Sequence, residues 1–415
     1  MMFRRKSAWA LAALLLIITF SFQPAIGHHY DAREIYHHAW ELVKENYYDA
    51  SFNGIDWPEY EHKYDDQIQN TDDAFRAIKK MLESLKDPYT RFLDPRAFQD
   101  ENDAIDAHIV GIGINLQQSR DQTHLIITRT IENSPAEKAG LSPGDELIAI
   151  DNTCAIGITP EQAAEHIRGK AGTSVKLAVK HAGNQAIVQI TRQDIDIRAV
   201  QVKMFDSGIG YIQLSTFISS DAAREFRRAL ARLAGAKGII IDLRDNPGGL
   251  LANALEMADM LLDGGTIVST IGRHGRHTDI SSGQPLTKQP IVVLVDEESA
   301  SASEILASAI KDNGRGIVLG TRTYGKGLVQ EINRLPGGAA LHITVSRYLT
   351  PNGSDINKVG IEPDILIENK TDQVKVAYNY LKEKIAYSKP VTKKQLLSAV
   401  TNNKTVLSIG HNLIK

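Results

Sequence analysis

Two short apolar stretches, each followed by a turn and a helical pattern, constrain the fold of this chain most strongly. Residues 238–243 precede a glycine-containing turn and a helical pattern over 250–262. Residues 291–295 precede a serine-rich turn at 299–303 and a helical pattern over 304–311. Continuous apolar residues predict strands that are buried on both faces. Strands of this kind alternating with helices predict an α/β fold with helices on both sides of a central sheet.

A second region, residues 108–191, has many short strand-like runs separated by turn clusters such as Ser134-Pro135. Its one clear helical pattern covers residues 159–168, where Thr159 is a cap and Pro160 occupies the first turn. This pattern predicts a compact β-rich module of about 90 residues.

The two ends of the chain differ from both regions. Apolar residues recur at three- and four-residue spacing over residues 30–85 and predict helices that end before Asp87-Pro88. A last helical pattern covers residues 372–384, and the sequence after Pro390 carries no motif that indicates a function.

The N-terminus has the pattern of a secretory signal. Arg4, Arg5 and Lys6 precede an apolar run at residues 8–20, and small residues follow up to Gly27. The alternative, an uncleaved membrane anchor, needs about 20 apolar residues, which this run does not reach. We therefore expect cleavage near Gly27 and export to the periplasm, with membrane association if the signal is retained.

Composition excludes several classes of protein. The chain has 47 basic and 50 acidic side chains and a net charge of −3, which does not favour a nucleic-acid partner. Its single cysteine, Cys154, cannot close an internal disulfide, and no Cys/His cluster has the spacing of a zinc site. We expect neither a metal nor another cofactor.

Two serine motifs in the chain fail as catalytic motifs. Ser142 lies in a Gly-x-Ser-x-Gly pattern, but the next residue is Pro143, which lacks the backbone N–H that a nucleophile elbow uses in its oxyanion hole. Ser308 and Lys311 match Ser-x-x-Lys, but the companion motifs Ser-Asp-Asn and Lys-Thr-Gly are absent from the sequence. We interpret these patterns as a turn and a solvated helix face.

Lys326 lies between two glycines and needs another explanation. Gly320, Gly325 and Lys326 have phosphate-loop spacing, but position 327 is glycine where a nucleotide-binding loop has serine or threonine. Flanking glycines allow the backbone to pass close to another segment and leave the amine accessible.

Ser301 lies where a predicted apolar strand turns into a helix, so backbone N–H groups converge near its hydroxyl. A structural alternative is a capping box formed with Glu304, and on this stretch alone capping is the stronger hypothesis. Lys326, which has no other predicted role, favours catalysis.

These residues belong to a series of motifs in a specific order. The motifs are Asp87-Pro88-Tyr89-Thr90 with Leu93-Asp94-Pro95; Gly111-Ile112-Gly113-Ile114; residues 134–141; residues 242–249; residues 299–304; Tyr324-Gly325-Lys326-Gly327 with Gln330; residues 348–351; and residues 360–364. Together they resemble the carboxy-terminal processing (tail-specific) proteases, exported serine proteases with an inserted PDZ domain and a Ser-Lys dyad.

The resemblance implies an α/β protease core with a ClpP/crotonase-like central sheet, an inserted β-rich PDZ domain, and helical N- and C-terminal segments. The expected divisions are a signal peptide, an N-terminal helical segment, the PDZ domain, the protease core, and a C-terminal helical segment and tail, at residues 1–27, 28–98, 99–195, 196–368 and 369–415.

The resemblance also implies site residues. Ser301 would be the nucleophile, Lys326 the base and Gln330 the side chain that orients the base. The oxyanion donors would be the N–H of Ala302 and that of one glycine in the turn at 246–249. Which glycine donates stays open, and we favour Gly248.

The PDZ loop of the resemblance corresponds to Gly111, Ile112, Gly113 and Ile114, which would receive a substrate's terminal carboxylate. Alternating glycines expose successive backbone N–H groups, and the strand that follows can pair with an extended peptide. The expected partners are proteins or peptides with apolar C-termini, with a regulatory adaptor protein and a homodimer as further possibilities.

A lysine acts as a base only when it is neutral, so its pKa must fall by about 2–3 units from ~10.4 for work near neutral pH. The amide of Gln330 can hold the amine without adding a carboxylate that raises its pKa. A spacing of four residues places both side chains on the same side of a regular helix or strand. His342 lies on a predicted strand, and we expect a structural role for it.

The rival hypothesis is a PDZ-based peptide-binding scaffold whose protease domain is inert. The presence of Ser301, Lys326 and Gln330 favours the enzyme.

Overall fold

The computed structural model describes residues 31–387, apart from 107, 120–122, 132, 182 and 197. The predicted signal at 1–27 and the tail after residue 387 lie outside this range. The described helices are α1 (Ala32–Asn46), α2 (Thr71–Glu83), α3 (Pro95–Ile105), α4 (Pro135–Lys138), α5 (Pro160–Ile167), α6 (Ala222–Arg232), α7 (Leu251–Asp259), α8 (Ala302–Asp312) and α9 (Lys370–Tyr387). In this part of the chain no helix is both long and apolar enough to cross a bilayer.

The strands form several sheets. They are β1 (Arg91–Leu93), β2 (His108–Gly111), β3 (Ile114–Gln118), β4 (Leu125–Thr130), β5 (Glu146–Ile150), β6 (Thr153–Cys154), β7 (Ser174–His181), β8 (Asn184–Thr191), β9 (Gln193–Asp196), β10 (Val200–Met204), β11 (Ile209–Leu214), β12 (Gly238–Asp242), β13 (Thr266–Gly272), β14 (Gly275–Ile280), β15 (Ile291–Val295), β16 (Gly316–Gly320), β17 (Leu328–Arg334), β18 (Ala340–Leu349) and β19 (Ile365–Leu366).

The central sheet has the order β10-β11-β12-β15-β16-β19. Only the edge strand β10 is antiparallel, and in the parallel part Ile239 pairs with Ile291. Every residue of β12 and β15 is buried. Helices α6, α7 and α8 pack on one face, and α9 covers the other through Ala377 and Leu381. The prediction of a sheet covered by helices on both faces is confirmed.

A second, antiparallel sheet contains β1, β13, β14, β17 and β18, and the sequence patterns did not predict it. Helices α1 and α2 pack against this sheet, with Leu341 and Ile343 of β18 in their shared core. The segment between these two helices consists of short 3-10 turns, where we had expected continuous helical periodicity.

The PDZ-like module has the sheet order β3-β4-β5-β7-β8, with α5 packed beside it. Its entry strand β2 and exit strand β9 pair with each other in antiparallel fashion. Strands β2 and β3 are separated at Gly113, which has a φ of +83°. A Cβ at this glycine would lie 2.4 Å from the Cβ of Ser134, so the break in the strand also allows close packing.

Candidate active site

Ser301 lies at the N-cap of α8, after the turn that follows β15. Its backbone has φ 55° and ψ −114°, a combination that non-glycine residues rarely adopt. Such strain is kept only where the surrounding contacts fix it, and it is concentrated at functional sites.

The carboxylate of Glu304 supplies those contacts. Its Oε2 accepts hydrogen bonds from the backbone N of Ser301 at 2.8 Å and of Lys326 at 2.9 Å. Its Oε1 accepts from the hydroxyl of Thr323 at 2.5 Å and from the N of Gly325 at 2.8 Å. Because two nitrogens share one acceptor at hydrogen-bond distance, the backbones of Ser301 and Lys326 are about 6 Å apart at most.

Glu304 is fully buried, and this desolvation raises its pKa, against the opposite effect of the hydrogen bonds that it accepts. The hydroxyl of Tyr348 donates to the carbonyl oxygen of Ser301 at 3.2 Å, so a second buried side chain holds the same turn. Sequence reasoning assigned Glu304 only a capping role. The contact with Lys326 depends on a loop 22 residues away, and no local pattern could reveal it.

Lys326 lies in the loop between β16 and β17 and is partly buried. Desolvation lowers the pKa of its amine, and the positive charge of Arg91 lowers it further. Glu101, Asp87 and Glu304 oppose this shift through their negative charges. The sequence patterns did not connect Arg91 or Glu101 with the lysine.

The two glycines beside Lys326 are required by a neighbouring segment of backbone. A Cβ on Gly325, where φ is +88°, would lie 2.8 Å from the N of Gly360. A Cβ on Gly327 would lie 2.8 Å from the N of Asn357. The predicted close approach of backbone at these glycines is confirmed, and the approaching segment is 356–360.

Gln330 lies on β17, directly after a β-bulge between Val329 and Gln330. Its Nε2 is 3.5 Å from the hydroxyl of Thr344, which in turn donates to Asp87 at 2.7 Å. A bulge breaks the two-residue periodicity of a strand. The four-residue spacing therefore does not by itself place Gln330 and Lys326 on one side, and the contact of Gln330 with the base stays a prediction.

The two expected oxyanion donors lie next to each other. A Cβ on Gly248, where φ is +95°, would be 2.9 Å from both the N of Ala302 and the Cβ of Ser301. The N–H of Ala302, at the first position of α8, has no acceptor among the described residues. The N–H of Gly248 donates to Oδ1 of Asn246 at 2.9 Å, so in this structure it is already engaged.

The turn that carries Gly248 follows an ion pair between Arg244, which is partly buried, and Asp242, which is fully buried. Arg244 contacts Asp242, and its Nη1 also donates to the carbonyl oxygen of Lys370 at the start of α9, at 2.7 Å. Tyr211 donates to the same Asp242 at 2.6 Å. Both charged residues belong to the motif at 242–249, but their structural role was not evident from the sequence.

The predicted carboxylate-binding loop leads into a groove on the PDZ-like module. Gly111, Ile112 and Gly113 are buried and Ile114 is partly exposed. The carbonyls of Ile112 and Gly113 accept hydrogen bonds from within the module, which fixes the loop. Strand β3 pairs with β4 on one side, and its other side faces α5 across a cavity. A strand edge opposite a helix is the arrangement that lets a peptide add a strand to a sheet.

This cavity has a volume of about 1290 Å³ and extends beyond the PDZ-like module. Residues of the loop, β3 and α5 line one part, and α3 borders it. Asp245 and Pro247, of the turn that precedes Gly248, line another part. A chain end held along β3 therefore lies in the same cavity as residues next to the candidate oxyanion turn.

The residues of the two rejected serine motifs make structural contacts. Ser142 and Asp145 close a turn with each other. Lys311 contacts Asp364 at 3.4 Å. Ser308 is buried and donates to the carbonyl oxygen of Ile305 at 3.1 Å, so the expectation of a solvated helix face is wrong at this serine. His342 pairs with Glu101 at 3.0 Å, in agreement with the structural role expected for it.

Family models match three parts of the chain. Peptidase family S41 matches residues 208–367, the PDZ domain matches 108–180, and the tricorn protease C1 domain matches 28–83. The S41 match covers the central sheet except its edge strand β10, together with the Ser301 turn and the Lys326 loop, which indicates a serine-type peptidase.

Known proteins resemble the chain over most of its length. A carboxyl-terminal-processing protease of Picosynechococcus sp. is 38% identical over 378 residues, covering 88% of this chain and 91% of that protein. A carboxy-terminal processing protease of Bacillus subtilis is 36% identical over 327 residues, covering 77% and 69%. The solved structure of a photosystem II D1 C-terminal processing protease has a TM-score of 0.64 and 30% identity, and covers 84% of this chain and 97% of that one. The chain therefore belongs to the carboxyl-terminal-processing protease family.

Proposed function

We propose that the protein is an endopeptidase that recognises protein C-termini through its PDZ domain and cleaves through Ser301 and Lys326. The observation that carries this proposal is the Glu304 carboxylate, which accepts from the backbone N–H groups of both residues. A serine in a strained turn and a lysine with a lowered pKa, held by one buried side chain, provide a nucleophile and a base.

In the proposed reaction the neutral amine of Lys326 accepts the proton of the Ser301 hydroxyl while Oγ attacks the peptide carbonyl carbon. The tetrahedral intermediate collapses to an acyl-enzyme, and the ammonium of Lys326 returns the proton to the leaving amine. Water then attacks the ester, with Lys326 again as base. This second step restores the serine and releases the new C-terminus.

The N–H of Ala302 is the first donor to the oxyanion in this proposal. Gly248 stays our choice for the second, with the requirement that its bond to Asn246 opens when substrate binds. Gln330 would orient Lys326, and this too needs a side-chain movement from its contact with Thr344.

Substrate selection rests on the PDZ loop at 111–114, where backbone N–H groups would bind the terminal carboxylate. The partly buried apolar side chains of Ile114 and Leu116 border the groove, which favours apolar C-terminal residues. We further propose export by cleavage near Gly27, the five divisions of the chain given above, and a ClpP/crotonase-like core. An adaptor and a homodimer remain hypotheses.

The test uses an unfolded substrate with an apolar tail. Ser301→Ala and Lys326→Ala should each abolish cleavage while the circular dichroism spectrum is retained. Ser308→Ala and Lys311→Ala are matched controls on α8, and both should keep activity. Undiminished cleavage by either dyad variant would refute the mechanism. Tail peptides that bind to the unmodified protein but stay intact would instead support the scaffold hypothesis.

A further inference from the structure

His37, His62 and Asp65 form a cluster on the N-terminal segment, remote in sequence from the catalytic residues. His37 lies on α1, His62 lies in the turn after the 3-10 helix Trp57–Tyr60, and Asp65 begins the next 3-10 helix, Asp65–Gln67. The Nε2 of His37 is 3.3 Å from Oδ1 of Asp65, and the Nδ1 of His62 is 3.0 Å from Oδ2. One ligand atom from each residue lies within 4.8 Å of the other two.

The geometry of Asp65 suits a metal ligand. Its Oδ1 is shielded from solvent and lies 3.3 Å from Nε2 of His37, but it accepts no hydrogen bond in the described structure. A shielded carboxylate oxygen that accepts no hydrogen bond is costly, and a cation between it and the imidazole would offset that cost. Lys63, the neighbouring cation in the sequence, is held by Glu59 at 2.9 Å.

We propose that these three residues bind a divalent zinc ion, with water in the fourth position. Two imidazoles and one carboxylate form a donor set that zinc accepts, whereas calcium and magnesium prefer oxygen ligands alone. Tetrahedral zinc at 2.0–2.1 Å from each ligand places the ligand atoms about 3.3 Å apart. The two observed contacts are close to this spacing, but they are made to different oxygens of Asp65, so the carboxylate must turn to present one oxygen to both imidazoles. The third distance closes by side-chain rotation, since 71% of the His62 side chain is exposed.

No short sequence motif reveals this site. The fold brings His37 close to His62 and Asp65, which lie 25 and 28 residues later in the chain. Both parts pack in one hydrophobic cluster with β18. A zinc ion would therefore join α1 to the turns at 57–67 and stabilise the N-terminal segment, since a ligand that binds only the folded state raises its stability.

The test measures zinc binding by the untagged protein with a chromophoric competitor, in a Cys154→Ser background that removes the exposed thiol. After non-specific binding is subtracted, we expect one zinc ion per protein chain. We also expect the melting temperature of the protein to rise when zinc is added. His37→Ala, His62→Ala and Asp65→Asn should each weaken binding by about tenfold or more, because even indirect partners of a metal contribute 10–100-fold. Cobalt should give the visible absorption of a tetrahedral site only when all three residues are present.

His38→Ala is the matched control, since His38 is exposed on the same helix, and His28→Ala with His29→Ala controls for the histidines near the N-terminus. These variants should bind zinc like the unmodified protein. Equal binding by Asp65→Asn, or no binding by the unmodified protein, would overturn the site. A circular dichroism spectrum that is retained in each variant shows that zinc binding, and not folding, has been lost. Peptidase activity that is retained shows that the zinc site is independent of the Ser301 dyad.

Discussion

At the scale of single residues, the carboxylate of Glu304 holds the Ser301 turn and the Lys326 loop together. Glu304 accepts four hydrogen bonds, from the Ser301 turn and from the segment 323–326. The glutamate thus converts two separate loops into one site.

Glu304→Gln should reduce kcat by about tenfold or more, since displacements near 1 Å can cost 10²-fold. The amide has one acceptor oxygen and a donor nitrogen, so two of the four donors lose their acceptor. Each loss should also cost about 1–3 kcal/mol of folding stability. Kinetics and denaturant unfolding measure these effects. Glu298→Gln, an exposed position on the same turn, should change neither. Full activity in Glu304→Gln would show that the shared carboxylate does not position the dyad.

The lowered pKa of Lys326 predicts a pH dependence. In the proposed mechanism activity needs the neutral amine, so it should be present above the pKa of Lys326 and be lost as the pH falls through it. Arg91→Gln removes a positive charge that lowers this pKa, so the acid limb of kcat/KM should move to higher pH. Arg276→Gln on β14 is the charge-matched control and should leave the limb in place. An activity that is flat down to pH 5 would contradict a lysine base.

At the scale of elements, the parallel core was predictable because it depends on local patterns. Strand β15 has the predicted bounds, and β12 ends one residue before its predicted end. Helix α8 begins at Ala302 rather than 304, because the turn before it closes with the strained backbone of Ser301.

The antiparallel sheet was not predictable in the same way. Strand β1 has only three residues, and it is a strand because it pairs with β18, some 250 residues later in the chain. In this pairing Arg91 lies opposite His342. Strand β17 contains a bulge and mixes exposed with partly buried residues. Pairing over such distances leaves no periodic signal in the short strands themselves, so the contacts of Gln330, Arg91 and Glu101 could not be derived.

For the whole molecule, one cavity is lined both by the PDZ-like module and by Asp245 and Pro247 of the protease core. Under the proposed function this cavity connects recognition with cleavage. Helix α3 also contacts α5 directly, through an ion pair of Asp100 with Arg168 and a hydrogen bond from Arg96 to the carbonyl of Glu165. Recognition and catalysis should nevertheless be separable by substitution.

Ala164→Trp fills the groove from α5, where Ala164 lines the cavity. In the Ser301→Ala background it should weaken binding of a peptide with an apolar C-terminus by about tenfold or more, since the bulky ring takes the space of the peptide and tenfold corresponds to only ~1.4 kcal/mol. Fluorescence anisotropy gives the affinities. Ala186→Trp on the exposed part of β8 is the matched control. Unchanged affinity in Ala164→Trp would place the peptide elsewhere.

The pairing of β2 with β9 means that the chain leaves the protease core and returns to it at nearly the same point. A module attached in this way can be exchanged for another without lengthening or shortening any connection in the core. Under the proposed function, replacing this module should change the chain ends that are selected and leave the Ser301 turn and the Lys326 loop in place.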